Sequence, residues 1–493
     1  MPEKISKGKY LWGTAAALFL AACGIKWYYL AKLHYYIFLS DELFGPCSRA
    51  ETIRLKEYLG SFFLYGDYSL GSCRPFFTSL LYILTFKGFG CQPQTAWILG
   101  IFVGSLLVPL YFLAVSALTS AEVALAASVI LMWMTNYVCQ SIALTTILPG
   151  ILFIVGALLA AVRYHRGGGV GYLYLSGGLI SMSVFCRYEN VFLLPVFVGY
   201  EFLFDNEGKL FPKLVYGLLC ASSCLYILYC NYHHTGDPFS VVRTQTAAAL
   251  LGRNALPISL ARAFVNVWEL LLKLMGLGPL PWAAAVAGMI LMIKRHKFKA
   301  MWMFLGVLLL PLFLTNEVKK DTFGLDENHF FLLALVALPM GGECIRTVFA
   351  GLGRRRIYGV LALGVVTVFS IVSFYRTYGA LSPSDTDLYY SPKLMRLTEA
   401  LKGISASKVL YIDSAVNGPG FFIQEVLVYL KRNPGRYVRE PGGTEPREKE
   451  YYLLAKEGSL GMGPKEKVVK VRDYRDYGYD GLALYRVTKP RDK

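Results

Sequence analysis

The residues best placed to do chemistry stand in the polar stretches between long apolar runs. Ser40-Asp41-Glu42 comes shortly after the first run ends. Carboxylates at the mouth of a membrane helix face both water and the head-group layer, where they can take a proton or a hard cation. The plain alternative is a solvated loop end. Basic residues stand in further stretches: Arg74 before Pro75, Arg187 in Cys186-Arg187-Tyr188-Glu189, and the pair Lys319-Lys320. A guanidinium fork can bond two oxygens of one anion at once, whereas an ammonium acts as a point charge. Each also has a structural reading. Arg187 can snorkel from a helix end, and Lys319 and Lys320 neighbour Glu317 and Asp321 in a charge cluster. His329 follows Asp326-Glu327, where it can donate to an anion or cap a helix.

These residues need a scaffold, and the composition says which kind. Of 493 residues, 55% are apolar and 17% charged, against roughly 25% charged in an ordinary soluble protein. The charges are also sorted. Residues 1–376 carry 30 basic and 18 acidic side chains, while the 117 residues 377–493 carry 20 and 15. The first part is predicted to be a membrane domain and the last quarter a water-soluble one. A purely soluble enzyme, a disordered chain and a secreted disulfide scaffold are excluded.

A spanning helix needs about 20 mostly apolar residues. Eleven segments qualify, near 10–32, 93–117, 122–141, 145–162, 170–186, 190–204, 213–230, 266–292, 300–315, 328–348 and 357–375. Lys and Arg in short loops mark the cytoplasmic side. Lys4, Lys7 and Lys9 precede the first segment. Alternate loops then carry Arg163 and Arg166, Lys209 and Lys213, Lys294 through Lys299, and Arg346 with Arg354–Arg356. Eleven spans put all of these on one side, with the N-terminus in the cytoplasm and the C-terminal region outside it. Much of the net charge of +17 is therefore topology. Its loop-by-loop clusters argue against a nucleic-acid partner and suit the anionic lipid bilayer.

The cysteines are expected to be mostly small apolar packing residues. Cys47, Cys73 and Cys91 lie on the outer side, and a Cys47–Cys73 bridge stays open. Leu20-Ala21-Ala22-Cys23 is shaped like a lipoprotein signal, but apolar residues continue through Leu30. A retained first helix is the preferred reading.

The outer stretch 33–92 is the longest, and long loops between spans are usually functional. In 48–65, Ile53, Leu55, Leu59, Phe62 and Phe63 alternate with charged residues, as in a helix lying in the membrane interface. Residues 77–86 form a second apolar stretch, too short to span, closing on Gly88-Phe89-Gly90.

That order, a first span, an acidic pair, interfacial helices and Arg74-Pro75 before an apolar stretch, resembles the GT-C superfamily of membrane glycosyltransferases. The branch it is most similar to holds the protein O-mannosyltransferases and lipid A aminoarabinose transferases. Residues 171–195, with Cys186-Arg187-Tyr188-Glu189, resemble a helix pair with a basic residue at its outer turn. Thr235-Gly236-Asp237-Pro238-Phe239 looks like the outer loop after the seventh span. Glu327-Asn328-His329-Phe330-Phe331, running to Pro339, is similar to a segment that more usually begins with Arg-Tyr.

The resemblance implies an inverting transfer of a sugar from a polyprenyl-phosphate carrier to an acceptor hydroxyl on a glycan, lipid or protein. An acceptor hydroxyl needs a base to take its proton as the bond forms. Asp41 is the candidate, with Glu42 sharing the role or orienting the acceptor. The departing lipid phosphate gathers negative charge and needs donors aimed at it. Arg187, Arg74, Lys319, Lys320 and His329 are the candidates. Glu189, Asp237 and Glu327 are candidates for acceptor or donor loops. No organic cofactor is implied. A divalent metal ion held by Asp41, Glu42 and His329 stays open.

The expected fold is thus a polytopic α-helical membrane protein of GT-C type with about 11 transmembrane helices. Residues 1–376 would be catalytic, and 377–493 a small extracytoplasmic α/β domain with strands near 408–413, 436–440, 450–456, 468–473 and 481–487. Gly418-Pro419-Gly420 lacks a phosphate-loop register and reads as a structural turn. The chief rival is a secondary membrane transporter, against which no second half repeats the first. A non-catalytic assembly or receptor protein is a third reading. Which sugar, carrier and acceptor are used is not legible in these residues.

Overall fold

The computed structural model describes residues 2–32, 76–90, 93–143, 147–204, 209–239, 280–298, 302 and 327–351. In the C-terminal quarter it describes 397–398, 400–402, 404, 409–413, 416, 430, 438–439, 448–457, 467–475 and 481–489. The chain divides into two compact units. The first takes in most of the helices. The second contains the C-terminal sheet, and residues 79–99 group with it.

The helices are α1 (Pro2–Lys32), α2 (Phe76–Phe89), α3 (Pro93–Leu118), α4 (Ala121–Trp133), α5 (Thr135–Ala143), α6 (Ile147–His165) and α7 (Val170–Cys186). A 3-10 turn, Tyr188–Leu193, leads into α8 (Leu194–Phe204), followed by α9 (Leu210–Thr235), α10 (Leu280–Lys294) and α11 (Glu327–Gly351). Among the described residues, four stretches are long and apolar enough to cross a membrane: Tyr10–Ala31, Gln94–Leu118, Leu148–His165 and Leu210–His233. They match four of the expected spans. α1 continues unbroken through Cys23. The stretch 77–86 is helical, within α2; the helix expected at 48–65 and the expected spans near 300–315 and 357–375 lie outside the described residues, save Trp302.

The segment 122–141 is not one rod. Ser120 caps α4 by accepting from the Val123 N–H. The helix then stops at Met134, whose backbone is extended (φ −67°, ψ 119°), and α5 begins at Thr135. Hydropathy sums over a window and does not register one extended residue inside it.

Side chains on the outside of the helices are apolar. On α9, Phe211, Leu214, Leu218, Leu225 and Tyr229 are all exposed, at spacings of three, four and seven. In water such a stripe is a liability; against lipid it is solvated by its own kind. Lipid gives helices no hydrophobic drive to associate, so small residues and hydrogen bonds must hold them. A side chain at Gly177 would press on Tyr216 and Leu219 of α9, and one at Gly342 of α11 would press on Val123 of α4. Ser181 Oγ lies 2.9 Å from Ser222 Oγ, and Tyr111 OH donates to the Leu335 carbonyl at 2.6 Å. The interior these contacts enclose is built from Leu107, Phe112, Leu131, Leu148, Ile180 and Phe197 with their neighbours.

The second unit's sheet has the order β2-β1-β3-β5-β4. Its strands are β1 (Leu410–Asp413), β2 (Val438–Arg439), β3 (Glu450–Lys456), β4 (Lys467–Asp473) and β5 (Leu482–Thr488). These are the five expected strands. β1 pairs parallel with β2 and β3, while β5 runs antiparallel to β3 and β4. β3 is buried along Tyr451–Ala455, so both sheet faces are covered there, which explains its unbroken apolar run. One face holds Leu410, Ile412, Leu454 and Leu484; the other holds Tyr411, Leu453, Ala483 and Val487. β4 is the charged edge, with Lys467, Lys470 and Arg472 discouraging further strand pairing. Lys470 bonds Glu457 and, at 3.0 Å, Asp473. Those bonds, Glu457's first, raise the Lys470 pKa, and the bond from Lys470 holds the Asp473 carboxyl below its usual value.

Candidate functional site

Arg187 occupies a constructed turn. The helix α7 ends because Arg187 leaves helical geometry (φ −153°, ψ 124°), and the same residue starts the 3-10 turn. Its N–H donates to the Ser183 carbonyl at 3.0 Å, and its own carbonyl accepts from the Asn190 N–H at 3.1 Å. Asn190 is buried, and its Nδ2 donates to the Ser183 carbonyl at 2.9 Å. One carbonyl thus takes two donors that would otherwise be stranded at a helix end. Gly150 of α6 makes room: a Cβ there would stand 3.0 Å from Asn190 Nδ2. Arg187 itself is half-buried. The turn places Glu189 two residues on, within the 3-10 segment.

The second candidate segment caps α9. Gly236 is left-handed (φ 72°) and its N–H returns to the Tyr232 carbonyl at 2.8 Å. A glycine is suited there because a Cβ would be strained. Asp237 Oδ1 then accepts from the Phe239 N–H at 3.0 Å, and buried Asn231 reaches over to the Pro238 carbonyl at 3.0 Å. One oxygen of Asp237 is therefore spent on shaping the turn.

Glu327 and His329 lie within α11, and so does Pro339, as the sequence led us to expect. Asp41, Glu42, Arg74, Lys319 and Lys320 lie outside the described residues, as does the Cys47–Cys73 pair. Among the described residues no group of three or more His, Cys, Asp or Glu side chains converges as a metal site would. The structure brings Arg187 and Glu189 together on one turn, and Glu327 and His329 on another.

Among the described residues, Lys26 and Glu343 are buried charged centres that sequence reasoning missed, as is Glu201, which lies 3.0 Å from His165. Lys26 of α1 is 1% exposed, and its Nζ donates to Ser105 Oγ at 3.3 Å and to Tyr137 OH at 3.1 Å. The signal was a lysine inside an apolar helix, which is costly unless paired. Glu343 of α11 is fully buried and accepts from three basic side chains. Asn190 gave no separate signal, because its partner is a backbone carbonyl.

No family model matches the chain, and no curated protein matches it. Solved structures of the oligosaccharyltransferase of Archaeoglobus fulgidus are similar to it. The complex with Zn and sulfate is 11% identical over 85% of this chain and 62% of that one, with a TM-score of 0.49. The apo form is 11% identical over 86% and 65%, at 0.46. The form tethered to an acceptor peptide containing the NVT sequon is 10% identical over 85% and 64%, at 0.49. The chain spans less than two thirds of that enzyme's length. Likeness at these identities and scores lends the chain neither an activity nor a substrate.

Proposed function

We propose that the chain is an inverting glycosyltransferase of GT-C type, in the branch its residues resemble. It moves a sugar from a polyprenyl-phosphate carrier to an acceptor hydroxyl at the extracytoplasmic face of the cell membrane. Eleven spans carry residues 1–376, the N-terminus is cytoplasmic, and residues 377–493 form an outer domain that holds the acceptor. The observation that carries the reading is the order of polar residues along the chain. Asp41-Glu42 follows the first span, Arg187 follows α7, and Lys319-Lys320 and His329 precede or open α11. In the proposed topology all lie on the side opposite the basic topology clusters. The bonded turn that fixes the Arg187 backbone supports a positioned cation there.

In this reading Asp41 takes the acceptor proton as the acceptor oxygen bonds the anomeric carbon. Glu42 shares that task or orients the acceptor. The bond from the anomeric carbon to phosphate breaks on the opposite face, so the configuration inverts and polyprenyl phosphate departs with the electron pair. Arg187, Arg74, Lys319, Lys320 and His329 balance the charge that gathers on it. Glu189, Asp237 and Glu327 belong to the surrounding donor and acceptor loops. Asp41, Glu42 and His329, with hard oxygens and an imidazole, would be the residues to hold a divalent ion in this reading.

The test is transfer from a panel of polyprenyl-phosphate sugars in purified membranes, comparing the wild type with Asp41→Asn at matched expression. We expect product from the wild type and a loss of about a hundredfold or more in the variant. Transfer that survives the substitution unchanged removes the proposed base. Absence of transfer combined with substrate accumulation in proteoliposomes would make the chain a transporter.

A further inference from the structure

At the end of α10, three cations converge on one carboxylate oxygen. Arg295 Nη1 lies 2.6 Å from Glu343 Oε1, Lys297 Nζ 3.1 Å, and Arg346 Nη2 3.0 Å. The pairing advances in the same sense along both helices, from Gly288 beside Met340 to Arg295 beside Glu343. α10 ends at this level while α11 runs on to Gly351, and the two pool their basic residues beside Glu343. One carboxylate offsets one of the three charges, so the cluster keeps two net positive charges.

Glu343 is wholly buried, whereas the side chains of Arg295, Lys297 and Arg346 are 37%, 24% and 37% exposed. The carboxylate holds them from beneath, and their other faces remain open. A guanidinium carries five N–H donors. In the described residues each arginine gives one to Glu343, and the buried Nε of Arg346 has no acceptor. Exposed Lys294 borders the group. In the topology proposed above, on which this inference rests, the cluster lies on the side where the short loops carry the chain's basic residues, at the level of the head groups. Basic pockets between membrane helices on that side hold phosphate-bearing lipids.

We propose that Arg295, Lys297 and Arg346, gathered on Glu343, form a phosphate-binding site that takes the head group of an anionic phospholipid. Glu343 acts as the organiser: it spaces three mutually repelling cations so that their outward donors face one anion. The chemistry needed is a phosphodiester or phosphate anion at the end of α10, bonded by two forks and one ammonium. The site would tie bilayer composition to the packing of α10 on α11, apart from any chemistry on the opposite face.

The experiment uses the full chain in phosphatidylcholine nanodiscs, titrated with phosphatidylglycerol or with inorganic phosphate while thermal unfolding is followed. The Arg295→Gln/Lys297→Gln variant leaves Arg346 to neutralise Glu343; Lys297→Gln alone serves if the double variant does not fold. Lys294→Gln is the control for general surface charge. We expect phosphatidylglycerol to raise the unfolding midpoint of the wild type and of Lys294→Gln. The concentration needed should rise about tenfold in the double variant. A response to phosphatidylglycerol alone assigns the phosphate to lipid; an equal response to inorganic phosphate, lost in the same variant, assigns it to a free anion. A wild type indifferent to both, or a response equal in wild type and double variant, overturns the site.

Discussion

The Lys26 ammonium stands 3.1 Å from the Tyr137 hydroxyl and 4.3 Å above the centroid of the same ring. The hydroxyl donates a hydrogen bond to the Gly104 carbonyl, and Ser105 accepts a second bond from the ammonium. Three helices, α1, α3 and α5, are thereby joined through one charged side chain. Ser141 packs where a side chain at Gly104 would have to go, so the carbonyl is reachable only because position 104 lacks one. Residues 79 and 111 apart in the chain meet here.

The lock makes an unequal pair of predictions. Tyr137→Phe leaves a buried ammonium short of an acceptor and a carbonyl short of a donor, and should cost about 1–3 kcal/mol. Lys26→Met removes the charge together with its need for partners, and should stay within about 1.5 kcal/mol of wild type. Unfolding in detergent compares them. Greater damage from Lys26→Met would show that the ammonium is a net stabiliser.

Gly288 lies so near the Met340 carbonyl that any Cβ would overlap it. The obstacle is backbone, which cannot rotate away as a side chain can. Gly288→Ala should therefore push α10 off α11 and cost about 1–3 kcal/mol, whereas the same change at Gly178, with open space around it, should be nearly silent. Equal effects at the two positions would refute the tight crossing.

If Arg187 steadies the departing phosphate, Arg187→Gln should lower turnover by about a hundredfold, as for loss of one donor in an oxyanion site. Asn190→Ala acts through the turn and should cost less, about tenfold, with the conservative Asn190→Asp also impaired because it cannot donate to Ser183. The assay is the sugar-transfer measurement, with expression and unfolding midpoint as controls. Undiminished turnover in Arg187→Gln would return Arg187 to the role of a snorkelling helix end.

On the β4 edge, the bond from Lys470 lowers the Asp473 pKa. A depressed carboxylate adds stability that is present above its unfolded pKa and fades as pH falls through the folded one. The gap in stability between wild type and Asp473→Asn should thus be small near neutral pH and close as pH drops below about 4. Both groups are exposed, so salt should shrink the gap as well. A gap that widens in acid would contradict the sign.

Much of the scaffold was legible because its signals are local. A span is a sum of transfer free energies over about 20 neighbouring residues, so Gln94–Leu118 and Leu210–His233 declared themselves. The five strands did too, through short apolar runs between turn residues. The turn at Gly236-Asp237 follows from residue types alone, since left-handed backbone and a short acidic side chain suit those positions.

What the chain could not announce was partnership. Arg295, Lys297 and Arg346 read in sequence as markers of the side they lie on; only the parallel approach of α10 and α11 turned them into one cluster about Glu343. Met134 sits in an apolar run like any other residue, yet its extended backbone breaks the rod there. The Arg187 turn depends on Asn190 and on space left by Gly150, a residue of another helix. Residue type sets where a segment is comfortable, in lipid or in water. Which distant groups then complete one another's hydrogen bonds is decided by how the helices cross, a property of the packed whole.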